Sequence, residues 1–212
     1  MNKSRPFEDL LTGFHVSGDI IKDAMNLLIF HQLQEVSDHS HKVAIEAENL
    51  ALRFGVDRDK ALMAGYLHDI GNMIPHDEMV DVAVEVGIEV LEEERVYPPL
   101  LHQKLSKTIV AEVFGIKDPE ILNAVECHTT LKGNPGHLDM VLFIADKMQW
   151  DPKHSGPFLD GVLKGLERSL EAGVFAYVKY CYDQRQQIKV LHPWLADAYN
   201  YLNEMETIHG KG

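Results

Sequence analysis

Only two cysteines, Cys127 and Cys181, occur among 212 residues. That is too few for a disulfide framework, and a reducing cytoplasm is the expected compartment. Positive charge is scarce too: 20 Lys and Arg stand against 33 Asp and Glu, a formal net charge of −13. This excludes a general nucleic-acid surface, and an anionic substrate would need locally supplied cations. No window approaches the ~18 apolar residues of a membrane span. The start, Met1 to Asp9, carries charge where a signal peptide would place its apolar run. Period-two alternation and internal repeats are missing as well, so neither strands nor a solenoid are expected. With 45% hydrophobic residues the chain can still build a substantial core. What it has in quantity is histidine, twelve in all.

The chain reads as helices joined by short breaks. A short helix over Phe7–Phe14 is followed by one from Asp19 that carries Ile20, Ala24, Leu27 and Leu28 and fades near Ser37-Asp38, which would cap the next. That next helix runs through His39 to Phe54 and stops on Gly55. Asp57 caps the helix that delivers His68 and Asp69, with Gly71 and Pro75 as its stop. Asp77–Val96 reads as two short amphipathic helices whose acids Glu92, Glu93 and Glu94 face water. A helix from near Leu100 closes at Gly115, and Asp118-Pro119-Glu120 is a strong start signal for another. A further helix holds Leu138, Val141, Leu142, Ala145 and Asp146, and two or three more follow, broken at Gly173 and His192-Pro193.

Four of these helices carry a histidine on the apolar stripe: His39 with Val43, His68 with Ala61 and Ala64, His102 with Leu105 and Ile109, and His128 with Ile121 and Val125. Asp69 adjoins one of them, and Asp146 lies at the edge of another stripe. A single buried imidazole is usually satisfied by a backbone carbonyl. Six such groups with no buried basic residue in sight ask for a shared divalent cation. Nitrogen and carboxylate donors without thiolate suit iron, manganese, zinc or cobalt, and six exceed the four of a structural zinc site. His41 lies off this line, and Cys127, turned ~100° from His128, reads as a packing thiol.

His39-Ser40-x-x-Val43-Ala44, His68-Asp69 29 residues on, His102, His128-Thr129 after 26 more and Ala145-Asp146 after another 18 resemble the HD-domain metal phosphohydrolases. The similarity extends from about Gln34 to Met205 and is greatest to the bacterial YqeK-type branch, which hydrolyses diadenosine tetraphosphate symmetrically at a di-iron centre. The resemblance implies an all-α, single HD-like helical bundle with the metal site between helices. Residues 1–33 would form a helical extension, 34–150 the metal-binding core and 151–212 helices packed on it. It further implies two divalent ions, iron foremost: His39, His68, Asp69 and Asp146 would hold one, and Asp69, His102 and His128 the other. Asp69 is thereby the shared catalytic ligand.

Departures from that branch concern substrate more than metal. Asn72 stands where its members carry lysine, Leu131 replaces a glycine, and Lys147 to Pro152 replace a run ending in arginine. Lys132, Lys147, His76 and Lys104 are the candidate phosphate contacts, with Lys153 as a further cation. The expected partner is a small nucleotide, with no nucleic acid or membrane, and a homodimer is left open. Three functions follow: a nucleotide phosphohydrolase acting on diadenosine tetraphosphate, a nucleotidase or phosphodiesterase acting on a smaller ester, or a non-catalytic HD-type binding or signalling module.

Overall fold

Helix α2, Gln34–Phe54, is the spine against which α3, Arg58–Leu67, and α8, His137–Gln149, are laid in this computed structural model, which describes residues 7–149 and 157–209. Its inward stripe of Val43, Ala47 and Leu50 is buried, and Gly55 ends it at φ 70°, the left-handed conformation a glycine adopts without strain. Gly65 on α3 lies so close to α2 that a Cβ there would sit 2.4 Å from Ala44 Cα. The absent side chain lets the two helices that carry His39 and His68 approach.

The remaining elements follow the chain. Helix α1 is Ile20–Phe30; after α3 come a 3-10 turn at Ile70–Met73, α4 at Met79–Glu85, α5 at Glu92–Val96 and a 3-10 turn at Pro98–Leu101. Helices α6, His102–Glu112, and α7, Pro119–Cys127, pack as a pair, α7 also against α3 and α8. Helices α9, Leu159–Arg168, and α10, Leu170–Asp183, form a hairpin, with α10 against α8, and α11, Pro193–His209, lies on α10. Among the described residues there is no strand, and the architecture is all-α. No helix of the described residues is long and apolar enough to cross a membrane. The caps follow the sequence: Asp57 accepts from the Lys60 N–H and Asp118 from the Glu120 and Ile121 N–H groups, each cap contributing about 0.5–2 kcal/mol.

Four breaks or faces differ from expectation. The first long break falls at His31-Gln32, where Gln32 takes φ 62°, and not at Ser37, which is buried inside α2 with its hydroxyl donating to the Met25 carbonyl. The Phe7–Phe14 helix contracts to one 3-10 turn, Asp9–Leu11. Between α9 and α10 the chain breaks at Ser169, an N-cap in extended backbone, whereas Gly173 is buried within α10 against Leu166. Glu94, expected in water, is fully buried, because Lys104 and His192 fold over it.

Candidate metal centre

The site begins where α3 ends. His68 closes that helix and Asp69 follows at φ −102°, ψ 9°, the sparsely populated bridge region, which turns two successive side chains toward one cavity. Gly71, expected as a helix stop, is instead a point of close approach: a Cβ there would lie 2.3 Å from the His102 carbonyl, and its N–H donates to Ser106 Oγ at 2.8 Å. That bare backbone brings α6, and with it His102, onto Asp69.

Three of the imidazoles are aimed by one device. His68, His102 and His128 each donate Nδ1–H to the carbonyl three residues earlier, Gly65, Pro99 and Val125, at 2.7, 2.6 and 2.8 Å. The Gly65 and Val125 carbonyls lie in the last turns of α3 and α7, where intrahelical partners run out; the Pro99 carbonyl also takes the His102 backbone N–H. Since a carbonyl only accepts, in each neutral ring Nε2 is the lone-pair nitrogen facing the cavity, the tautomer a metal ligand needs. His68 Nε2 is buried and has no hydrogen-bond partner. The Nε2 atoms of His102 and His128 face each other at 2.9 Å, an arrangement that requires a proton or a cation between two lone pairs.

The carboxylates lie between these nitrogens. Asp69 Oδ1 is 3.2 Å from His102 Nε2 and 3.5 Å from His128 Nε2, while its Oδ2 is 3.5 Å from His68 Nε2 and 3.9 Å from His39 Nε2. Asp69 thus reaches both halves of the cluster. Asp146 Oδ1 accepts from His39 Nε2 at 3.0 Å and lies 4.0 Å from His68 Nε2. Two sets of donor atoms, from His39, His68 and Asp146 and from His68, Asp69 and His128, are each spaced closely enough to hold one ion.

The electrostatics match. Burial alone would raise both carboxyls, but the imidazoles around Asp69, and Lys147 with His39 beside Asp146, hold both well below the usual range. Burial pushes His68 down and His128 down to about 4, so both stay neutral at neutral pH. Burial also opposes charge on His39 and His102, yet their hydrogen bonds to Asp146 and Asp69 raise them.

The remaining candidate residues divide. His76, Lys147 and Asn72 line the same cavity of about 510 Å³, together with Tyr97, Pro99, Leu100 and Thr129. Lys147 is a buried base, contrary to the expectation that none stood near, and its Nζ lies 2.6 Å from Asp146 Oδ2. Asn72 donates to the Asp69 carbonyl at 3.1 Å. Lys104 is two residues, ~200° of helix, from His102 and turns away from the cavity; its ammonium is buried on Glu94 and the Glu89 carbonyl. Lys132 pairs with Asp139 at 3.2 Å and lines a different cavity, beside Lys60 and His137. Pro152 and Lys153 lie outside the described residues.

Two residues that helical periodicity did not single out hold the frame. Ser106 receives the Gly71 N–H, and buried Gln103 accepts from the Thr129 and Thr130 N–H groups at 3.1 and 3.3 Å, pinning the turn after His128 to α6. Gln103, adjoining His102, and Ser106, one turn after it, were the available signal. Cys127 is buried, and burial pushes its thiol upward, which leaves it inert.

Residues 36–151 match the HD domain family. The chain is 43% identical over 143 residues to a Lactococcus lactis subsp. cremoris protein described as an uncharacterized protein in the pepC 5′ region, covering 68% of this chain and 72% of that one. It is 30% identical over 154 residues to the symmetrical bis(5′-nucleosyl)-tetraphosphatase of Bacillus subtilis, covering 69% and 79% respectively. A crystal structure from Clostridium acetobutylicum, described as a predicted HD superfamily hydrolase involved in NAD metabolism, superposes with a TM-score of 0.79 at 27% identity over 90% of this chain and 98% of that one. With more than half its length matching, and with the ordered histidines and aspartates brought together in space, the chain belongs to the HD domain family of metal-dependent hydrolases.

Proposed function

We propose that this protein is a metal-dependent phosphohydrolase of nucleotide phosphoanhydrides, with symmetrical cleavage of diadenosine tetraphosphate as its leading reaction. One observation carries the reading: buried His68 Nε2, a lone-pair nitrogen without a partner, points into a cluster where His102 and His128 present lone-pair nitrogens and Asp69 and Asp146 present ionised oxygens. Such a donor set fits divalent cations, His39, His68, Asp69 and Asp146 for one and Asp69, His102 and His128 for the other. Iron is the leading candidate, with manganese, cobalt and zinc compatible with nitrogen and oxygen donors. When bound, two such ions supply activation of water and neutralisation of phosphate charge.

The chain's own groups do the rest. The carbonyls of Gly65, Pro99 and Val125 hold three imidazoles with Nε2 toward the cavity; His68 and His128, kept neutral by burial, need lose no proton on loading, whereas His102, raised by Asp69, would give one up. Asp69, kept ionised and within reach of both halves, would supply negative charge to either ion. The Lys147 ammonium and the side chain of exposed His76 stand at the cavity wall as the contacts for phosphate oxygens. The named activity of the Bacillus subtilis relative supports this substrate.

A second reading, a nucleotidase or phosphodiesterase acting on a smaller ester, is favoured by Asn72, an uncharged amide held on the Asp69 carbonyl where the YqeK-type branch carries lysine. Iron- or manganese-loaded protein assayed against nucleoside monophosphates through dinucleoside polyphosphates separates them. Diadenosine tetraphosphate yielding ADP as the sole nucleotide product is expected. AMP with ATP, or turnover confined to monophosphates, would contradict the leading reaction.

A further inference from the structure

The cavity has two walls of unlike chemistry. Its floor is ionic, whereas along the rim the chain runs Tyr97-Pro98-Pro99-Leu100, and Tyr97, Pro99 and Leu100 all line the space. Tyr97 is 37% exposed, a large ring left at the mouth of a polar site. The phosphohydrolase chemistry described above gives it no task.

The rim is also built to hold still. The proline after Tyr97 keeps it out of the helical region, here at φ −136°, ψ 78°, and the Pro99 carbonyl takes His102 Nδ1. Below it, fully buried Glu94 accepts from Lys104 Nζ at 2.8 Å, from His192 Nε2 at 3.3 Å and from the Leu91 N–H at 2.8 Å. Burying three ionisable groups seldom stabilises a fold more than apolar packing would, but it fixes one geometry. Lys189, from the segment between α10 and α11, places its ammonium 4.6 Å from the Tyr97 ring centroid. The ring is thus held by a cation as well as by its backbone, while it lines the cavity.

A rigid aromatic ring and two apolar neighbours beside an anion-handling floor match a ligand with a flat aromatic end and a phosphate end. Resting on the reading of the floor as a phosphate site, we infer that Tyr97 is the specificity-determining residue for the nucleoside: it stacks on the substrate's base, and Lys189 and the Glu94–Lys104–His192 cluster act as positioning residues that keep the ring in place. A preorganised platform lowers the ordering cost of binding. Base–aromatic stacking is sequence-tolerant, so the preference is for a base over no base, more than for one base over another.

Calorimetric titration of the manganese-loaded full chain with AMP and with ribose 5-phosphate tests this. Wild type should bind AMP tighter by about tenfold or more, the scale of one base–aromatic stack. Tyr97→Leu should bring the two affinities within about twofold by weakening AMP alone, Tyr97→Ser should do the same, and Tyr97→Phe should keep the preference. Equal affinities in wild type, no measurable AMP binding, a preference that survives in Tyr97→Leu, or a parallel loss of both ligands would each overturn the inference. Release of ADP from diadenosine tetraphosphate judges the phosphohydrolase reading separately. Base preference without hydrolysis sinks that reading alone, and hydrolysis without base preference sinks only the role of Tyr97.

Discussion

Helix α6 contributes to two clusters of buried ionisable groups that differ in one respect. On one face, Lys104 joins Glu94 and His192, and each side chain finds a partner of complementary character: ammonium and imidazole on a carboxylate that also takes the Leu91 N–H. On the other, His102 joins three imidazoles, two carboxylates and the Lys147 ammonium on Asp146, still with acceptors in excess, two imidazole nitrogens facing each other and a third, on His68, unpartnered. The first cluster is closed and the second is short of positive charge. Burial alone therefore does not mark a functional site; the imbalance of donors and acceptors does.

Substitutions should separate the two clusters. The largest effect is expected for Asp69→Ala, which removes the one carboxylate reaching both halves: turnover is abolished, and metal affinity falls by more than the ~10–100-fold typical of losing an outer-shell partner. Metal analysis of the folded variant checks it, and near-normal activity with full metal content would mean that the centre is assembled otherwise. Glu94→Ala should leave activity per loaded, folded molecule far less affected but cost about 3–5 kcal/mol in denaturant unfolding, because Lys104 and His192 lose their buried acceptor. The same cluster sets an acid limb. Burial would raise Glu94, but His192 and Lys104 hold it below the ordinary value of 4.5. Its contribution is therefore complete above that pH and is lost as pH falls through the depressed value. Glu94→Gln should flatten that part of the stability profile, and an unchanged acid slope would exclude the cluster as its source.

Smaller effects concern the cavity wall. Asn72→Lys adds a cation beside Asp69, and one charge-assisted contact, about 1.5–3 kcal/mol, should lower the Michaelis constant for diadenosine tetraphosphate about tenfold or more. Titrating wild type and variant at equal metal loading measures it. Tight hydrolysis by wild type, unimproved by the lysine, would show that the missing charge does not matter here. His41→Ala should be nearly silent, below about 1 kcal/mol and with unchanged metal content, since among the described residues exposed His41 bonds the Tyr66 hydroxyl alone, at 2.8 Å.

Where local chemistry decides a feature, the sequence was sufficient. Asp57 and Asp118-Pro119 start helices through their own side chains, Gly55 ends one through its own backbone, and four histidines on apolar stripes converge because each stripe faces the same core. Features decided by a partner far along the chain were not legible. Glu94 belongs to an acidic run on a five-residue helix, too short for its period to fix a face, and the His192 that buries it lies 98 positions later. Lys147 directly follows Asp146 in sequence, where it reads as a candidate phosphate contact with nothing to mark it as buried. It is buried because Asp146 offers its second oxygen and the Phe143 ring lies 5.4 Å from its ammonium. Gly71 and Gly173 read as stops, but each is a place where a neighbouring element needs the room of a side chain.

The claim on which the rest depends is that this cluster's surplus of acceptors holds two divalent ions through one shared carboxylate. Anaerobic purification followed by elemental analysis of the wild-type chain tests it most directly. Two divalent ions per chain are predicted for wild type, with His39→Ala retaining the ion held by Asp69, His102 and His128. No bound ion after reconstitution with iron or manganese, or a stoichiometry that Asp69→Ala leaves unchanged, would contradict the account.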